Sequence, residues 1–156
     1  MISLLVGLAV AAAPVAQPVD LAFAAMKTLV GEWRVADRQT SLRIRFSLTA
    51  GGSVVVENWE RAGMPNSLTL YHRDGARLLA THYCAQGNQP RLRLLPGSSP
   101  TDLKFAFVDA TNLEAGDAHL VKLSFELIGP NELVRREVYR QGQQDDPDEL
   151  RLVRVR

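Results

Sequence analysis

The residues best equipped for chemistry gather in one stretch, THYCAQGNQPRLRL, from Thr81 to Leu94. It holds a His, a Tyr and the only Cys of the chain, followed at once by Asn88, Gln89, Pro90 and Arg91. Three chemistries fit these types. In the first, His82 and Cys84 project from one strand face and a third ligand, His119, completes a zinc or haem site; the ligand set is then shorter than such metals usually take. In the second, Cys84 is a nucleophile whose thiolate is raised by an imidazole. His119 suits that partnership better than His82, because same-face neighbours on a strand stand about 7 Å apart. In the third, Tyr83, Asn88, Gln89 and Arg91 are placed donors and acceptors at the rim of a binding cavity, with Pro90 stiffening the backbone. Each has a plainer counterpart. A lone buried Cys packs as a small hydrophobe, and Gly87-Asn88 is an ordinary turn.

These residues must be held by strands. LRIRFSL places Leu42, Ile44, Phe46 and Leu48 on one face and charged or polar residues on the other, the two-residue period of a strand with one wet face. The same alternation recurs in VVVENWE, LTLYHRDGARLLATHYC, RLRLL, DLKFAFV, HLVKLSFELI, LVRREVYR and LRLVRV. Turn residues separate them every 8–12 residues or so, and no crossover-length helix intervenes, so the strands run antiparallel in a sandwich or barrel. With GEWRVAD the count reaches about ten strands, after a short N-terminal helix with Asp20 as cap and Leu21, Ala24, Ala25, Met26 and Leu29 on its apolar side. Closure into a barrel removes the two exposed edges of such a meander. QGQQDDPDE reads as a polar loop, in which Asp145, Asp146, Asp148 and Glu149 are solvated.

A short helix feeding Gly31-Glu32-Trp33 at the first strand, an all-strand meander and a last strand ending in Arg resemble the calycin barrels: lipocalins, fatty-acid-binding proteins and nitrobindin-like proteins. The segment HYCAQGNQPR is similar to one in small exported bacterial proteins of lipocalin-like type. The resemblance implies that Trp33 plugs one barrel end and that the interior can take a ligand. It does not carry over the haem site of the nitrobindin-like members, which uses a His near the C-terminus; no His follows His119. No cofactor is expected.

Parity assigns directions within strands. His119 shares its parity with Val121, Leu123, Phe125 and Leu127 and is expected to point inward, as is His72 after Leu68 and Leu70. Both faces of the strand carrying His82 hold apolar residues, so parity does not choose between them. Trp59, Met64, Tyr71, Phe105, Phe107 and Phe125 would line a cavity if the barrel is not filled.

Composition narrows the function. Apolar residues at 46% and charged ones at 22% match globular averages rather than disorder. A formal charge of +1, with basic and acidic residues interleaved, excludes a one-sided nucleic-acid surface. The apolar run Ile2–Ala13 is too short to span a bilayer and fits the core of a signal peptide, although no Lys or Arg precedes it. Residues 1–16 are therefore expected to be a signal peptide, cleaved after Ala13 or Ala16, and residues 17–156 the barrel, placed in the bacterial periplasm or outside the cell. The leading function is binding of a small, mostly apolar ligand inside the barrel, oriented by His82, Tyr83, Asn88, Gln89, Arg91 and His119. The alternatives are an enzyme with His82 or His119 as general acid/base, and an interaction domain with a filled core.

Overall fold

The computed structural model describes residues 18–36 and 39–155. The signal-peptide reading thus lies outside the described residues. Helix α1 (Pro18–Thr28) leads into ten strands: β1 (Gly31–Val35), β2 (Leu42–Thr49), β3 (Val54–Arg61), β4 (Met64–Asp74), β5 (Arg77–Tyr83), β6 (Gln89–Leu94), β7 (Asp102–Thr111), β8 (His119–Gly129), β9 (Glu132–Gln141) and β10 (Gln144–Arg154). Each strand pairs antiparallel with its chain neighbours, and β1 pairs with β10, so the sheet closes into the expected barrel. Among the described residues no helix is long and apolar enough to cross a membrane.

The period-two pattern turns one face of every strand inward. Trp33, Ile44, Phe46, Val55, Tyr71, Leu78, Ala80, Leu92, Leu103, Phe105, Leu123, Phe125, Leu133 and Leu152 form a continuous buried cluster. Phe46, Tyr71, Phe105 and Phe125 meet edge to face at centroid distances of 5.7–6.2 Å, the arrangement that aromatic quadrupoles favour.

Helix α1 stoppers one end of this core with Val19, Ala22, Phe23, Ala25 and Met26. That stripe differs from the expected one: Leu21 is exposed and Ala22 and Phe23 are buried. The helix includes Pro18 in its first turn, where a missing N–H costs nothing, and the face it turns to the barrel runs through Val19, Ala22, Phe23 and Met26 at helical spacing. Asp20 pairs with Arg73 at the β4–β5 hairpin instead of capping.

Trp33 fastens the stopper. Its indole Nε1 donates to Leu29 O at 2.7 Å. The Arg154 guanidinium lies 4.3 Å from the Trp33 ring, and Arg154 donates to the carbonyls of Thr28, Val30 and Pro130. The bond to Thr28 satisfies a carbonyl that the end of α1 leaves without a helical partner, and the bond to Pro130 ties the helix end to the β8–β9 turn. Gly31 is needed here: its φ is +137°, and a Cβ would stand 2.6 Å from Arg154 Nη1.

The acidic stretch expected as a loop is strand. Only a tight turn separates β9 from β10, and Asp145 and Glu149 pair across it with Arg140 and Arg136. Pro147 is tolerated because β1 pairs only with residues 152–154 of β10, leaving the other edge free of ladder bonds.

Candidate functional site

The barrel end opposite α1 is built differently, since its inward positions carry polar groups. On β3 the inward residues are Val55, Glu57 and Trp59, and on β9 they are Leu133, Arg135, Glu137 and Tyr139. Glu57 has no solvent exposure and Arg135 only 2%. Such burial of charge is tolerated only where the charges are paired and hydrogen-bonded. Glu57 Oε1 accepts from Trp59 Nε1 at 2.8 Å and from Arg135 Nε at 2.8 Å, and Oε2 accepts from Tyr71 Oη at 2.5 Å. Arg135 Nη1 donates to Glu137 Oε2 at 2.6 Å. The guanidinium also lies 4.5 Å from the Trp59 ring centroid, within cation–π range. Burial alone would drive the Arg135 pKa down, but the carboxylates of Glu57 and Glu137 outweigh it and hold it above the usual value. Burial, reinforced by Glu57, raises Tyr71 well above an ordinary phenol.

Beside this layer runs a second polar row. Thr69 stands opposite both Glu57 and His82 in the sheet register. His82 Nδ1 lies 2.9 Å from Thr69 Oγ1, and His82 Nε2 lies 3.0 Å from Tyr139 Oη. Cys84 Sγ is 3.8 Å from the same phenol oxygen. Burial, helped by the Arg135 charge, lowers the His82 pKa from 6.5 to about 4, so the ring is neutral at pH 7. Burial and then the Glu137 charge raise that of Tyr139.

Above these groups a cavity of about 350 Å³ opens toward the barrel end. Trp59, His82, Glu137, Tyr139, Asp148 and Leu150 are among its walls, with Val35, Gln39, Thr40, Leu42, Arg61, Asn66 and Ser67 completing them. Nine of these thirteen side chains are polar, which sets it apart from the mostly apolar pocket that ligand sites commonly show. Trp59 lines the cavity as expected. Tyr71, Phe105 and Phe125 instead fill the core below it, and Met64 is exposed.

The stretch from Thr81 to Leu94 divides. His82 points inward with Leu78 and Ala80, whereas Tyr83 is on the outer face and 45% exposed. Asn88 is buried and its Nδ2 donates to Ala118 O, tying the β5–β6 connection to the β7–β8 loop. Gln89 bonds Gly87 O and Thr111, and Arg91 forms a two-pronged pair with Asp109 on the outside. None of Tyr83, Asn88, Gln89 and Arg91 lines the cavity with His82.

His119 does not point inward. A bulge at Val121 shifts the β8–β9 register, so Leu120 faces Tyr139 and His119 faces Arg140, and a one-residue slip exchanges the two faces. Its ring packs 5.1 Å from that of Phe107, and its Nδ1 lies 3.1 Å from Asp117 O. His72 is likewise outside, because Thr69 and Tyr71 take the inward positions of β4, where His82 and Glu57 satisfy their hydroxyls. The three potential ligands His82, Cys84 and His119 are thus not assembled, and among the described residues no group of three or more His, Cys, Asp or Glu is arranged to hold a metal ion.

The sequence does carry a sign of the buried layer. In VVVENWE the acid shares its parity with Val55 and Trp59, and in LVRREVYR the base shares its parity with Leu133 and Tyr139. Opposite charges on the apolar faces of two strands are complementary. Compared with known proteins, the chain matches no family model and no curated protein.

Proposed function

We propose that this chain is an exported, calycin-type carrier that binds a small polar molecule in the open end of its barrel. One observation carries the reading. The barrel is filled by side chains at the α1 end, yet at the other end a cavity of about 350 Å³ sits over inward-facing polar groups. His82 and Glu137 are each held by hydrogen bonds from behind, and such support gives a binding wall a fixed geometry. A filled interaction domain has no use for this arrangement. The ring of calycin-like features at the closed end, Gly31, Trp33 and Arg154, supports the family assignment.

The polar walls move the ligand class away from a mostly apolar molecule. The enzymatic alternative has less support, since both ring nitrogens of His82 already have partners and His119 lies off the cavity. Export rests on the apolar run at Ile2–Ala13 and on a barrel whose lone thiol has no second cysteine to pair with. Native mass spectrometry of the protein purified from its own host tests the binding reading. A reproducible adduct that disappears in a His82→Phe/Glu137→Leu variant is expected; an adduct-free spectrum from gently handled material would overturn it.

A further inference from the structure

The cavity wall is electrically one-sided. Asp148 on β10 stands directly opposite Glu137 on β9, and both side chains line the cavity. Directly opposed cross-strand residues have Cβ atoms about 5 Å apart, and like charges so placed repel. Glu137 spends one oxygen on Arg135, which Glu57 also holds. The buried layer beneath the cavity thus has two carboxylates around one guanidinium. Arg135 itself is not among the cavity walls. The guanidinium that is, Arg61, stands at the end of β3, across the barrel from β9 and β10.

Apart from Arg135, which Glu57 and Glu137 share, and Arg61 on β3, the cavity walls offer no positive charge to offset the pair. His82 is buried at 2% exposure, bonded on both nitrogens and uncharged at neutral pH. Tyr139 beside it is a phenol. The indole of Trp59 contributes aromatic surface to the same cavity.

Resting on the binding reading above, we infer that the ligand carries a cationic nitrogen, an ammonium or amidinium head, seated between Glu137 and Asp148 with its carbon body against Trp59 and Tyr139. An ammonium offers hydrogen-bond donors to both carboxylates and relieves their mutual repulsion, and charge-assisted bonds of this kind are the stronger ones. Aromatic surface suits the carbon atoms next to the charge. A bare metal ion fits less well. The cavity has the volume of about twelve water molecules, and two carboxylates supply fewer oxygens than calcium or magnesium demands.

The test uses a size-matched fragment set of up to about ten heavy atoms in three arms, with benzylamine, benzyl alcohol and benzoate as the parents, plus calcium chloride as a fourth. The readout is the indole N–H signal in ¹H–¹⁵N spectra of the mature protein. The chain has two Trp residues: Trp59 borders the cavity, while Trp33 sits at the closed end and reports on the fold. The amine arm should shift the Trp59 signal at concentrations at least tenfold lower than the alcohol arm, with Trp33 unmoved, and carboxylates should be weakest. Glu137→Gln should erase that preference, bringing the amine arm down to the affinity of the alcohol arm, and Asp148→Asn should do so if Glu137→Gln fails to fold. Equal affinity for all three organic arms would sink the charge inference while leaving the binding site standing. So would a preference for benzoate, with Arg61 and Arg135 dominating, or for calcium. No Trp59 response from any arm would remove the binding site itself and the inference with it.

Discussion

Arg135 reaches across the barrel to Glu57, 78 positions earlier in the chain, and the two meet at 2.8 Å with 1% and 0% side-chain exposure. Removing one partner of such a pair strands a charge away from water, which costs far more than removing both. Glu57→Gln should therefore lower stability by roughly 3–5 kcal/mol. Adding Arg135→Met to it should restore a substantial part of that loss. Urea titrations of the wild type, both singles and the double give the coupling directly. Additive losses would mean that the pair does not function as a unit.

The closed end depends on Trp33. Its ring is 1% exposed and bonded through Nε1 to the helix it covers. Trp33→Ala should cost about 3–5 kcal/mol in chemical denaturation. Arg154→Ala, which leaves carbonyls of Thr28, Val30 and Pro130 without their donor, should cost about 1–3 kcal/mol. A loss under about 1 kcal/mol for Trp33→Ala would remove the tryptophan from the core.

Acid should loosen the cavity end first. The His82 pKa is lowered in the fold, from 6.5 to about 4, so between those values the unfolded chain takes up a proton that the folded one refuses. Stability is then undiminished above pH 6.5 and falls as the pH drops toward 4, where the loss levels off at about 3 kcal/mol. His82→Gln should lack that part of the pH dependence. A His82 ring signal titrating near 6.5 in the folded protein would refute the burial argument.

Binding should separate residues that look alike in the sequence. His82→Gln is expected to weaken any ligand seen through Trp59 by about tenfold, the scale of one buried polar partner, and Glu137→Gln to weaken an amine by as much. Arg91→Ala and His119→Ala should leave it unchanged, because neither side chain reaches the cavity. Calorimetry on the four variants decides, and a loss confined to Arg91→Ala and His119→Ala would move the site to the outer face.

Export gives a prediction in mass. Protein recovered from the periplasm or medium should lack the first 13–16 residues, corresponding to cleavage after Ala13 or Ala16. Full-length protein found in the cytoplasm alone would end the localisation reading.

Much of the barrel is visible in the sequence because it depends on alternation, which is local. LRIRFSL and DLKFAFV declare their inward faces without help from any partner. Gly31 and Trp33 could be placed because both sit beside the helix they serve. What the sequence hides depends on distant pairing or on a one-residue slip. Glu57 looks like a polar interruption of a strand until Arg135 is known to face it. His119 has the right parity for the core, and only the bulge at Val121, hinted at by the adjacent Leu120 and Val121, turns it out. The Thr81–Leu94 stretch drew attention by residue type, yet of its conspicuous side chains only His82 borders the cavity.

The ring is sealed by a short junction, as short in residue pairs as those of β1–β2 and β5–β6. Three residue pairs join β1 to β10, against ten between β10 and β9, so backbone amides at this seam should exchange with solvent sooner than those between β9 and β10. It also joins segments more than a hundred positions apart, and such closures are slow to find. Until the seam shuts, two strand edges stay open to other chains. The ring therefore cannot close before β10, the last of the described strands, has been made.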